Sequence, residues 1–132
     1  MMIREGAMVR PSDVGDGLLS NFHIKAYAAE TDETITVAEL AGGLIFQGTT
    51  LTSDVIYTLP TAALIAAAAD EMDIGDAYSF VVKNSQVGAF DVVIAVGVGI
   101  TAVGANNTLS TPPQSSNVFT LVKTAAATFD LY

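Results

Sequence analysis

Residues Ala77–Gly99 read AYSFVVKNSQVGAFDVVIAVGVG. In the first half, Tyr78, Phe80 and Val82 alternate with Ser79, Val81 and Lys83. A period of two places these sets on opposite faces of a strand. In the second half the valines crowd together, as in a strand buried on both faces or lying at an interface. The same reading extends outward. NFHIKAYAA alternates Phe22, Ile24, Ala26 and Ala28 against His23, Lys25 and Tyr27. ETITVAEL opposes Ile35 and Val37 to Thr34, Thr36 and Ala38. LIFQ follows the Gly42-Gly43 turn, and DVIYTL is bounded by Ser53-Asp54 and Pro60. ITAV is short and glycine-bounded, and GANNTLSTPPQSSN is a loop by composition. NVFTLVKT and AATFDLY close the chain as strands joined through Thr124-Ala125-Ala126. About eight or nine short strands at this spacing predict an all-β domain: a β-sandwich, a jelly roll or a barrel. No period of 20 to 50 residues repeats, which argues against a solenoid or a propeller.

One stretch departs from the pattern. Residues 57–76 read YTLPTAALIAAAADEMDIGD. Thr61 follows Pro60 as an N-cap, and Ala62–Ala69 is a run of good helix formers. Two to three turns of helix are unstable alone. The segment therefore needs tertiary anchors, for which Leu64, Ile65 and Ala68 are the candidates. A single short crossover helix of this kind suits a jelly-roll-like sandwich of about eight strands.

Composition narrows the function. The chain has 132 residues, enough for one domain with a real core. It is 51% hydrophobic and only 14% charged, against a usual charged fraction of about 25%. So little polar material points to apolar surface buried against partners. The formal net charge is −9, and the five basic residues Arg4, Arg10, Lys25, Lys83 and Lys123 stand singly. That disfavours binding to nucleic acid or to an anionic membrane surface. There is no cysteine, which removes disulfides, thiolate metal sites and Cys nucleophiles. MMIREGAMVRPSD lacks the apolar core of a signal peptide, and synthesis in the cytoplasm is expected. Val92–Ala105 carries three glycines and is too short to span a bilayer. Residues 1–20 read as an extended arm ahead of a domain at 21–132. Gly6, Pro11, Gly15 and Gly17 punctuate the arm, and Ile3, Met8, Val9, Leu18 and Leu19 are its candidate interaction residues.

Candidate chemistry is sparse. His23 is the sole histidine, and its place on a predicted strand beside Lys25 is an ordinary one. No G-x-S-x-G elbow accompanies it. Asp70, Glu71, Asp73 and Asp76 are the best hard-cation candidates, since Ca2+ takes several oxygens from a glycine-bearing loop. They lack EF-hand spacing, and a solvated turn is the simpler reading. Gly97, Gly99 and Gly104 lack the Lys-Ser/Thr of a phosphate loop and suit a tight hairpin. No catalytic, cofactor-binding or metal residue is expected, and no cofactor.

The stretch from Tyr57 to the C-terminus resembles a pattern found in structural proteins of tailed phages and other viruses. The pattern is a strand ending in Thr-Leu-Pro-Thr-Ala (58–62), an alanine-rich helix, a Gly75-Asp76 turn, an aromatic-valine strand ending at Asn84, and a valine-rich strand with a Gly-x-Gly-(Ile/Val)-Thr hairpin at Gly97–Thr101. The closing FTLVKTAAATFDLY is similar as well. The resemblance spans roughly the last 75 residues. It implies a jelly-roll-like β-sandwich assembling as a homodimer or homotrimer, of the kind used by small capsid decoration (cement) proteins, with no catalytic residues. The expected role is non-catalytic: a bacteriophage virion protein on the outer capsid surface, bridging neighbouring copies of the major capsid protein. A net charge of −9 suits the outside of a DNA-filled shell. The alternative is a receptor- or carbohydrate-binding module of a tail appendage, using the loop Asn106–Ser116 or the acid cluster. A small β-sandwich enzyme built on the scattered acids is a third, weaker reading.

Overall fold

The alternation at 77–84 becomes a single strand at the centre of the molecule. A computed structural model describes residues 23–27, 30–103 and 109–132. In chain order the elements are β1 (His23–Tyr27), β2 (Glu33–Thr34), α1 (Val37–Ala41), β3 (Gly43–Gln47), β4 (Val55–Thr58), α2 (Ala62–Ala68), β5 (Ala77–Asn84), β6 (Val92–Ala95), β7 (Ile100–Ala102), β8 (Ser110–Thr111), β9 (Ser115–Ala125) and β10 (Thr128–Leu131). They form a large sheet in the order β1-β3-β5-β9-β10-β7 and a small one in the order β2-β4-β6-β8. The expected all-β, two-sheet architecture is what the chain adopts.

The pairing differs from that of a jelly roll, whose neighbouring strands run antiparallel. Here β1, β3 and β5 are parallel neighbours in the large sheet, and β2, β4 and β6 are parallel neighbours in the small one. Successive strands alternate between sheets, so the chain from His23 to Ala95 winds as three stacked rungs: β1–β2, β3–β4 and β5–β6. Leu44 lies beside Val81 in one sheet and Val55 beside Val92 in the other, the same offset of 37 residues both times. A solenoid-like repeat is therefore present within the sandwich, contrary to the sequence reading. The antiparallel pairs β5–β9, β9–β10 and β6–β8 then close the sheets around this coil.

Helices fill the returns from the small sheet to the large one. α1 and α2 each follow a small-sheet strand, and each opens on a threonine. Thr61 accepts a hydrogen bond from the Leu64 N–H, as expected of the N-cap. The Thr36 side chain accepts from the Glu39 N–H while the Glu39 carboxylate accepts from the Thr36 N–H, a complete capping box. ETITVAEL is thus a two-residue strand and a helix, rather than one strand. Val37 lines the cleft beneath the helices, and Glu39 forms an ion pair with Lys25 at 2.9 Å. Replacing Thr36 by alanine is expected to cost about 1 kcal/mol, read as a lower urea midpoint at unchanged slope.

The core lies between the sheets. Ile45, Phe80, Val82, Phe119, Leu121, Phe129 and Leu131 of the large sheet face Val55, Tyr57, Val92 and Ile94 of the small one. Phe80 and Phe119 are register partners whose rings stack at 5.5 Å. Beyond the small sheet, α1 and α2 cover Tyr78, Leu121 and Phe129, leaving an apolar cleft of about 110 Å³. Of the expected anchors of α2, Ile65 is buried, whereas Leu64 is 57% exposed and Ala68 is exposed. Ala62 supplies the second anchor. A seven-residue helix lying against a sheet buries one narrow stripe, and positions 62 and 65 fall on it.

The Gly97–Gly99 segment is a sheet-to-sheet crossover, since β6 and β7 belong to different sheets. A Cβ on Gly97 would sit 2.4 Å from the Pro60 carbonyl oxygen, and Gly99 holds a φ of +86°. Both glycines are required for the chain to pass the start of α2 at this distance. The closing hairpin turns at Ala126-Ala127, one residue later than expected. The predicted loop 104–117 contains β8 and the first residues of β9.

Candidate functional site

The acid cluster forms a turn tied to the large sheet. The Asp76 carboxylate accepts from the Asp73 N–H at 2.9 Å, and the Asp76 N–H donates to the Asp73 carbonyl. The Gly75 N–H donates to the Lys123 carbonyl, and Gly75 takes a φ of +98° to do so. The Lys123 ammonium, 8% exposed, donates to the Met72 carbonyl at 2.9 Å. Lys123 thus satisfies the chain just beyond the C-terminus of α2, where a cation also complements the helix dipole. Asp70, Glu71, Asp73 and Asp76 all remain exposed. Among the described residues no group of three or more His and acidic side chains is arranged to hold a metal.

A second set of carboxylates caps the stacked rungs. Asp32 accepts from the Ile56 N–H at 2.9 Å, and Asp54 accepts from the Asp91 N–H at 2.8 Å. In each case the carboxylate of one rung reaches the adjacent strand of the next. Glu30 accepts from the Thr52 N–H and hydroxyl and from the Ser53 hydroxyl. The hydrogen bonds from Thr52 hold the Glu30 carboxyl below its ordinary range. These acids bind backbone and hydroxyl donors and build the turns.

Buried amides lie beneath those turns. Gln47 and Asn84 end β3 and β5 in register, and both are fully buried. The Gln47 amide nitrogen donates to the Tyr57 hydroxyl, and its oxygen accepts from the Thr49 N–H at 2.7 Å. Asn84 donates to the carbonyls of Phe90 and Thr111. Its Oδ1 has no partner among the described residues. Gln86, 2% exposed, accepts from the Leu51 and Gly88 N–H groups and donates to the Phe90 carbonyl. Amides suit this role because each offers donors and an acceptor to loop backbone that no sheet ladder satisfies. Burial pushes Tyr57 up to about 12, and it also raises Tyr78. For Tyr57 the unfolded chain ionises near pH 10 while the folded one stays neutral. The stability it contributes is therefore complete below pH 10 and is lost as the pH rises to about 12. In Tyr57→Phe that decline should shrink to the part set by Tyr78, read from urea midpoints between pH 9 and 12.

Among the described residues, exposed apolar side chains gather in a groove and on a sheet face. The groove, of about 550 Å³, lies where the small-sheet strands end against the start of α2, lined by Ile35, Leu59, Pro60, Leu64, Val96 and Val98 among others. Leu64 is 57% and Val98 81% exposed. The sheet face is the outer one of the large sheet, where Val118 is 66% exposed. Leu64 was legible as apolar, but only the fold turns it outward to join Val96 and Val98. His23 begins β1. The arm residues Ile3, Met8, Val9, Leu18 and Leu19 lie outside the described residues, as do Asn106 and Asn107. No helix among the described residues is long and apolar enough to cross a membrane. Comparison with family models, curated proteins and solved structures gave no match.

Proposed function

We propose that this chain is a non-catalytic structural protein of a bacteriophage virion, which decorates the outer capsid surface and cements neighbouring copies of the major capsid protein. The observation that carries the reading is the groove around Leu64, Val96 and Val98, an exposed apolar surface on a body pinned by buried amides and stacked rungs. Exposed aliphatic side chains gathered around a concave surface mark a place where another protein segment is buried. The net charge of −9 favours a position on the outside of a shell that encloses DNA. Repetition over a lattice converts a modest contact at each copy into durable attachment. The arm at residues 1–20 is a further contact in this proposal, and deleting it should weaken attachment while the body still folds. The test is co-expression with the major capsid protein of the same virus, followed by imaging of the particles. The reading expects density for this chain at junctions between capsid subunits, lost on Val98→Asp. Particles without that density, or with it unchanged in the variant, would reject the reading.

A further inference from the structure

We propose that the outer face of the large sheet is a self-association surface on which a second copy of this chain packs face to face. The inference stands apart from the capsid reading, since it rests on the face alone. Register places Leu44, Val81 and Val118 side by side on β3, β5 and β9. Their sequence neighbours Ile45, Val82 and Phe119 point into the core, so this row points out. Phe46 and Val122 lie on the same outer face, with Tyr132, 56% exposed, bonded across to Thr120 at its edge. No described element covers this face, because both helices and the small sheet pack on the opposite side.

The occupant follows from charge and area. On a chain of net charge −9, β3, β5, β9 and β10 present outward one cation, Lys83, and one anion, Asp130. Neither makes a side-chain hydrogen bond or ion pair among the described residues. Lys83 is level with Ser116 and Asp130 with Val122, so Val118 and Thr120 lie between them on β9. A two-fold axis in the interface plane, passing between Val118 and Thr120 and perpendicular to the line from Lys83 to Asp130, interchanges the two positions. Each Lys83 then lies over Asp130 of the second copy, and Val118, which lies beside the axis, packs against its own image between the two ion pairs. The face is locally neutral, so like-charge repulsion between two acidic chains is least there. Strands β1, β3, β5, β9 and β10, of 5, 5, 8, 11 and 4 residues at about 3.3 Å each and about 4.8 Å apart, present roughly 500 Å² per copy. Two copies bury about 1,000 Å², the lower bound for a specific interface.

Sedimentation equilibrium of the full chain tests this, with circular dichroism confirming that each variant is folded. The wild type is expected to be a dimer at tens of micromolar, and Val118→Asp a monomer. Lys83→Glu and Asp130→Lys should each weaken dimerisation about tenfold, and the double charge swap should restore it. A monomeric wild type, an oligomer that survives Val118→Asp, or a double swap no tighter than the single ones would overturn the proposal. So would a monomer that dimerises only when residues 1–22 are removed, since the arm would then be the occupant.

Discussion

Phe80→Ala is expected to lower the unfolding free energy by about 3–5 kcal/mol. Phe80 is 1% exposed and sits on the central strand of the large sheet, stacked on Phe119. Truncation removes its apolar burial and leaves a cavity between two sheets, each held together by its own hydrogen-bonded ladder. Strands held in that way cannot collapse inward to refill the space, which places the cost toward the upper end. Urea unfolding of the variant at neutral pH measures it. A loss below about 1 kcal/mol would mean that the two sheets do not close over Phe80 as described.

Gln86→Leu should cost about 3 kcal/mol, although leucine is more apolar and similar in size. Gln86 serves three backbone groups in two turns: the N–H of Leu51 between β3 and β4, and the N–H of Gly88 and the carbonyl of Phe90 between β5 and β6. Gly88 passes so close to this amide that a Cβ there would come within 2.6 Å of its oxygen. With leucine in place, the donors and the acceptor stay buried without partners, each at about 1–3 kcal/mol, partly relieved by water entering the turn. Loss of hydrogen-exchange protection should concentrate at Leu51 and Gly88, which separates the loss of these bonds from general loosening. Equal stability of variant and wild type would show that the turn backbone finds its partners elsewhere.

Much of this fold is legible in the chain, because period-two patterning is a local signal. The strands of AYSFVVKN, DVIYTL, NVFTLVKT and AATFDLY fall where alternation puts them, and Thr61 caps its helix. Strand direction is not a local signal. β3 and β5 read alike whether they pair parallel or antiparallel, and only the crossover through the small sheet makes them parallel. The repeat was hidden because it is chemical and not literal. At the 37-residue offset Asp54 and Val55 meet Asp91 and Val92, whereas Leu44, Ile45, Gln47 and Ile56 meet only similar residues, Val81, Val82, Asn84 and Val93. The first rung follows a different offset, with His23 beside Gly43 and Glu33 beside Tyr57. The helix α1 did carry a readable signal, Thr36-Val37-Ala38-Glu39, but its alternating residues also satisfy a strand. Of the candidate surface, the aliphatic residues were visible and their gathering was not: Leu64 comes from a helix, and Val96 and Val98 from a crossover.

The acidic end of YTLPTAALIAAAADEMDIGD is now accounted for in part. Asp73 and Asp76 close a turn on each other, and Lys123 reaches the Met72 carbonyl beside it. Asp70 and Glu71 extend into solvent. This arrangement serves the join between α2 and β5.

The proposal that this chain cements a capsid is tested most directly by heating two preparations of the parent particle, one complete and one lacking this chain, and following DNA release with an intercalating dye. The account predicts release at a clearly lower temperature from the particles without it, with the difference recovered when the purified chain is added back. Identical release profiles for the two preparations would contradict it.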